Sequence, residues 1–324
     1  MARPWRSSPG ASAPALTEEP PGDIRSRRRA DKARRLRAGL PGLLLVAPAL
    51  FFYALFVLRP LAATVQYSLY DWNGITTAEW AGLDNYVRLV TDPDLIGPIV
   101  NAFQLILYFS VIPVIFGVIA AAIIRKFGES KLALASRTVL FLPQVIPLVA
   151  AGIMWTWLLA SNGLVNQGLA LIGLDGVTRA WLGDFDTALP AVGIIGAWVN
   201  VGLCMLLMLA GMTKIDPALY EAARLDGAGA IREFFAVTLP AVKQELGVAI
   251  IITVISALRS FDIIYISTQG GPGNATLVPG LEIYRLAFFE REIGQASAMA
   301  VALTALVLIV VLPLNRITRS ESTS

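Results

Sequence analysis

The sequence predicts an all-α membrane protein: six transmembrane helices, both termini on the cytoplasmic side, and a charged amphipathic helix between the fourth and the fifth. Three observations carry this expectation. Of 324 residues, 56% are hydrophobic and only 15% charged, with a mean hydropathy of +0.66. A soluble domain carries roughly 25% charged residues, so much of this surface must face lipid. Uncharged runs recur at 38–58, 95–124, 138–174, 187–213 and 293–315, and each is long enough for a spanning helix of about 20 apolar residues. Finally, Lys and Arg are unevenly placed about those runs, which orients them.

Residues 1–37, rich in Pro, Ser and Arg, hold ten of the 26 Lys and Arg and read as a disordered basic cytoplasmic tail. They do not read as a cleavable signal peptide, because the basic region is too long and the apolar stretch after it is a full span. The run RSRRR at 25–29 is of a kind that suits nucleic acid. Beside a membrane span, topology and attraction to anionic lipid explain it better, and no nucleic-acid partner is expected.

The remainder, 38–316, is expected to hold spans at about 40–60, 98–124, 138–160, 188–211, 243–264 and 295–315, with a short tail at 317–324. The turn-forming SNG at 161–163 ends the third span, and the Gly-rich stretch after it reads as an interfacial loop. The fifth span is the least clean, since Arg259 and Asp262 sit near its far end. Arg259 lies about 24 Å along a helix from Lys243, near the opposite boundary, so the two charges, at i and i+3, read as a local pair there, with a substrate contact as the alternative. Pro113, Pro143 and Pro147 are expected to kink spans two and three.

Twenty Lys and Arg fall in the tail 1–37, the 125–137 and 212–245 loops and the C-terminal tail, against six on the other side. That places both termini in the cytoplasm and the chain in the cytoplasmic membrane. The chain has no His and a single Cys, Cys204, which excludes an intrachain disulfide framework and any His- or Cys-cluster metal site. Ser–His and Cys–His catalysis are excluded with them, and no catalytic residue, metal or cofactor is expected. No GxxxxGK[ST] occurs, so the chain has no P-loop for ATP.

The 212–241 loop is the most informative stretch. Asp216-Pro217 is a helix start, Gly227 stands where a helix ends in a left-handed turn, and a second short helix is expected from about Ala230 to Val237 before Pro240 opens span five. Small residues around the turn allow another backbone to approach closely, while Leu219, Tyr220, Leu225 and Phe234 are suited to filling grooves. By physics alone the element is either a docking knob for a protein or a surface helix on lipid headgroups.

Its pattern decides more. Glu221-Ala222-Ala223, three residues, Gly227, nine residues, then Val237-Thr238-Leu239-Pro240 resembles the EAA loop of binding-protein-dependent ABC transporter permeases, with Val237 in place of the usual Ile. The resemblance extends over about 40–315, through WAGLDNY at 80–86 and FDIIYISTQGGPGNAT at 261–276. It is strongest to the maltose-type first-permease branch that takes up sugars, oligosaccharides or glycerol-3-phosphate. It implies a coupling helix seated in a cytoplasmic ATPase, with Glu221, Ala222, Ala223, Leu225, Asp226 and Gly227 as contact residues. It also implies a heterodimer with a second permease, an ATPase dimer and an extracytoplasmic solute-binding protein. The solute would be a sugar or oligosaccharide, with glycerol-3-phosphate or another small solute of the same class as the alternative. An ion-coupled secondary transporter would place charge near the bilayer midplane, where these spans have none.

The pathway should be lined by polar side chains directed inward. Asn101, Gln104 and Tyr108 recur at i, i+3 and i+7; Thr253, Ser256 and Ser260 do the same, and Asn200 stands in span four. Each has a structural alternative, joining helices together or bonding back to its own backbone. Reporter fusions after Lys126 and Lys214 should read as cytoplasmic, and fusions near Asp84 and Gly273 as external. One clear reversal breaks the topology.

Overall fold

A computed structural model describes residues 45–128 and 130–319. The tail expected at 1–37 and the last residues of the tail expected at 317–324 lie outside them. By compactness the chain divides at Leu61, giving units 1–61 and 62–324. The helix α1, Leu45–Tyr67, begins in the first unit and carries a π-helical turn at Ala54–Leu58.

Among the described residues the regular structure beyond α1 is helical apart from one strand pair, β1 (Tyr70–Asp71) and β2 (Glu79–Trp80), antiparallel with Tyr70 opposite Trp80. This is a small departure from an all-α chain. The turn between the strands is made locally: Asn73 Oδ1 accepts from the Ile75 and Thr76 amides at 3.0 and 2.9 Å, as Asn does in Asx-type turns. Helix α2, Asp84–Thr91, follows, and then α3, Pro93–Lys126, whose middle is a π-helical turn at Leu107–Val111. Next come α4 (Lys131–Val145) and α5 (Leu148–Leu158), bent by 100° at Ile146-Pro147. The stretch expected to be an interfacial loop instead contains α6, Leu164–Leu171. The run tolerates Gly168 inside the helix because it contains no proline, and Asn166 anchors it by donating to the Ala160, Ser161 and Arg179 carbonyls.

The 25-residue α7, Ala188–Met212, is the most deeply packed candidate span. After it come α8 (Pro217–Leu225), α9 (Ala230–Ala241, π-helical over Phe234–Thr238) and α10 (Lys243–Leu258). Pro240 lies inside the last turn of α9, and the 71° bend into α10 comes after it, between Ala241 and Lys243. Then follow α11 (Asp262–Ser267), α12 (Pro279–Arg285, extended by a π-helical turn at Leu286–Glu290) and α13 (Ile293–Arg319). Among the described residues four helices are long and apolar enough to cross a membrane, or up to six if each bent pair is one span.

Helix packing here follows the rule for lipid, where tails are as apolar as Leu and close backbone approach replaces hydrophobic drive. A Cβ on Gly117 of α3 would stand 2.6 Å from Cys204 Cβ of α7. Gly193 and Gly196 of α7 leave room for the Tyr108 and Phe109 rings, and Gly202 for the backbone of α4 at Leu140. The core divides accordingly. One cluster gathers Val118, Ala121, Cys204, Met205, Met208 and Val242; another gathers Leu105, Phe109, Val192, Ile195, Ile264 and Leu277.

Candidate functional site

The loop between α7 and α10 is held as a rigid knob. Asp216 caps α8, its Oδ1 accepting from the Ala218 amide at 2.9 Å, and Pro217 takes the first helical position. At the other end Ala228 N donates to Ala223 O at 2.9 Å and Gly227 N to Arg224 O at 3.0 Å, the paired bonds of a Schellman turn. Such a turn needs positive φ at Gly227, which is +79°. The space about Gly227 is open, with nothing within 4 Å of a Cβ built there, so a side chain is opposed by backbone strain and not by a clash.

Tyr220 orients the knob. It is the buried residue of α8, its hydroxyl 3.0 Å from Thr238 Oγ1 on α9 and its ring 3.9 Å beneath the Arg125 guanidinium of α3. Arg224 and Glu233 brace the two helices through paired bonds of 2.9 and 3.3 Å. The Glu233 hydrogen bonds and charge raise the Arg224 pKa above its ordinary value. Lys214 and Glu245, 2.9 Å apart, close the base of the loop between α7 and α10. Exposed pairs of this kind add little stability; their effect is on angle.

Of the six expected contact residues, Glu221, Ala222, Leu225, Asp226 and Gly227 are exposed and Ala223 is half-buried. Leu225 is 88% exposed and Ile231 78%, an apolar surface with acidic neighbours. Beside it runs an open cleft of about 900 Å³ lined by Ile123, Lys126, Tyr220, Glu221, Ile231 and Phe235, among others. Sequence reasoning missed Arg125 and the Arg224–Glu233 brace, because nothing in a linear string places position 125 over position 220.

The expected pathway residues do not gather in one place. Ser256 and Ser260 line a cavity of about 190 Å³ with Phe109, Arg259, Phe261 and Asp262. Ser260 Oγ is buried there with no hydrogen-bond partner among the described residues. The local pair expected between Arg259 and Asp262 is not formed: both are exposed, no ion pair joins them, and α10 ends before the break that separates them. Thr253 bonds to Ser110 Oγ at 2.7 Å, and Asn200 Nδ2 donates to the Phe109 carbonyl at 3.1 Å. Asn101 donates to the Leu277 and Asn274 carbonyls at 2.8 and 3.3 Å and so anchors the 268–278 loop. Tyr108 packs on Gly193, and Gln104 is exposed.

The two other stretches of the resemblance are structural joints. Asn85 is buried and donates to the Ser68 and Tyr70 carbonyls at 3.0 and 2.9 Å, while Gln295 donates to the Asn85 carbonyl at 3.1 Å. Thr276 bonds Thr268 at 2.7 Å and the Gly271 carbonyl at 2.9 Å, closing the loop after α11. Nearby on α12, burial pushes the Glu282 carboxyl up to about 7, reinforced by Glu290, Asp94 and Asp92 against the pull of Arg285.

The family model described as "Binding-protein-dependent transport system inner membrane component" matches residues 113–320. A "Probable ABC transporter permease protein" of Bacillus subtilis is 39% identical over 85% of this chain and 93% of its own. A diacetylchitobiose uptake system permease protein of Streptomyces coelicolor is 31% identical over 83% and 80% of the two chains. A sulfoquinovosyl glycerol transport system permease protein of Agrobacterium fabrum is 33% identical over 87% and 91%. A chain of a bacterial alginate ABC transporter, crystallised with an alginate pentasaccharide-bound periplasmic protein, shares the fold with a TM-score of 0.75. The two are 24% identical, over 90% of this chain and 98% of that one.

Because the folded state keeps the Glu282 proton to about 7 and an unfolded carboxyl loses it near 4.5, stability should fall as pH rises through that window and level off above it. Thermal melts between pH 4.5 and 8 should show this slope in the wild type and a flatter one in Glu282→Gln. Equal slopes would refute the assignment.

Proposed function

The chain belongs to the family of binding-protein-dependent transport system inner membrane components, and we propose that it is the permease subunit that passes a sugar or oligosaccharide through an ATP-driven importer. As a permease subunit of an ABC transporter it is a non-catalytic, multi-pass membrane component. ATP hydrolysis falls to a separate ATPase dimer, which takes α8 and the Gly227 turn as its contact. A second permease completes the pathway and an extracytoplasmic solute-binding protein delivers the solute. Both termini lie in the cytoplasm, with six spans in which each bent pair counts as one.

The observation that carries this reading is the α8 knob: a capped, braced helix ending in a Schellman turn, with Leu225 and Ile231 exposed beside Glu221 and Asp226. Rigid attachment through Tyr220 suits a part that takes a mechanical input. The sugar assignment is supported by the diacetylchitobiose and sulfoquinovosyl glycerol relatives and by the hydroxyl-and-aromatic lining of the cavity at Ser256, Ser260 and Phe261. Ligand screening of the cognate solute-binding protein by thermal shift tests it. Stabilisation by glycerol-3-phosphate or an amino acid, and by no sugar, would replace the solute while leaving the transporter class intact.

The coupling role has its own test. A β-branched side chain at φ +79° costs about 1–2 kcal/mol in the left-handed region. Gly227→Val should therefore distort the knob while leaving the spans inserted, and Glu221→Lys reverses an exposed charge. Both should lower co-purification of the ATPase in detergent and substrate-stimulated ATP hydrolysis, whereas Gly227→Asn, which tolerates positive φ, should be milder. Wild-type levels of both for Gly227→Val would remove the loop from the coupling role.

A further inference from the structure

We infer that the π-helical turn of α3, Leu107–Val111, is the point at which movement of the α8 knob is transferred to the helices lining the pathway, and that Asn200, Thr253 and Ser110 are the positioning residues of that transfer. The inference rests on the coupling reading above.

The chemistry begins with Pro113. In an α-helix the Phe109 carbonyl would bond to the amide four residues on, but that residue is Pro113 and has no N–H. The helix widens just there into its π-helical turn, and π-helical turns in otherwise regular helices concentrate at functional places. A carbonyl freed within the apolar layer must find another donor. It finds Asn200 of α7, whose Nδ2 donates at 3.1 Å. One residue further on, buried Ser110 accepts from the buried Thr253 hydroxyl of α10 at 2.7 Å; the Ala249 carbonyl is the alternative acceptor on Thr253's own helix.

These two bonds join α3 to the two helices that carry the knob. α7 runs into it through Met212, and α10 leaves it after the bend that follows Ala241. Both helices therefore reach the same turn of α3 from opposite ends of the coupling loop. The Tyr108 and Phe109 rings, seated on Gly193 and Gly196, lie on that turn, and Phe109 also lines the cavity with Ser256 and Ser260. A shift of α7 against α10 thus acts on the residue that borders the cavity. Asn200 serves the pathway through this bond to the backbone, a different role from the solute contact expected of it.

A structural role and a transmitting role separate cleanly. Asn200→Leu leaves the Phe109 carbonyl without its partner, but adding Pro113→Ala restores an N–H for it while the tie between α3 and α7 stays absent. In the assembled transporter, spin labels at Val100→Cys and Ile123→Cys, exposed positions on either side of the turn, report the bend of α3. The probe is the non-hydrolysable analogue Mg-AMP-PNP. The wild type should change its label distance on nucleotide binding, and Asn200→Leu/Pro113→Ala should keep less than about half of that change with its melting temperature recovered relative to Asn200→Leu. Ser110→Ala/Thr253→Val, which replaces both partners of the second bond with apolar groups of similar shape, should act in the same direction. A full wild-type response in both double variants overturns the inference and leaves the coupling reading standing. A wild type that binds nucleotide without any change in distance also overturns the inference, and the co-purification test of Gly227→Val then decides the coupling reading.

Discussion

Everything in this chain depends on how closely α7 lies against α3. Two helices in lipid gain nothing from hiding apolar surface from water, so their contact rests on van der Waals packing and a few hydrogen bonds. α7 meets that condition with glycines at 193 and 196 and with the small Cys204 against Gly117. The approach is close enough for an Asn side chain on one helix to reach a backbone carbonyl on the other. Once α7 is fixed, its last turn places Asp216 and thereby the start of α8, and Tyr220 locks α8 under Arg125 at the end of α3. The same pair of helices therefore holds the knob and seats Phe109, which lines the cavity.

That arrangement gives a physical meaning to the EAA pattern. Glu221 and Ala222 are exposed because Tyr220 takes the buried side of a nine-residue helix; Gly227 is required by a turn with φ +79°; Val237 packs at the edge of the core cluster built around Met208 and Val242. Thr238 is the hydroxyl on which Tyr220 rests. The motif thus reads as one turn, one seat and one contact face. What α8 touches outside this chain is a matter of partners, and the exposed Leu225 and Ile231 are suited to a protein groove.

How much was legible in the sequence follows from which forces are local. Asp216-Pro217 and Gly227 are legible because caps and turns are decided by neighbouring residues, and the uncharged runs are legible because lipid imposes a length. Pro147 signals the bend between α4 and α5, although its size, 100°, depends on what surrounds it. The 164–171 helix is not legible because glycines in an apolar run signal a loop, while Asn166 supplies the anchoring bonds only through tertiary contact. The roles of Asn101 and Asn200 were the least legible. Both are polar side chains on helix faces, and only tertiary contact shows that they satisfy backbone carbonyls, at Leu277 and Phe109.

The most direct measurement is chemical capture at the tip of the knob. Leu225, 88% exposed, replaced by p-benzoylphenylalanine and irradiated in native membranes, should yield an adduct between this chain and a nucleotide-binding ATPase subunit, stronger or weaker with nucleotide as the contact moves. An adduct to lipid alone, with the ATPase still co-purifying through another surface, would contradict the coupling role of α8 and return it to a helix lying on headgroups.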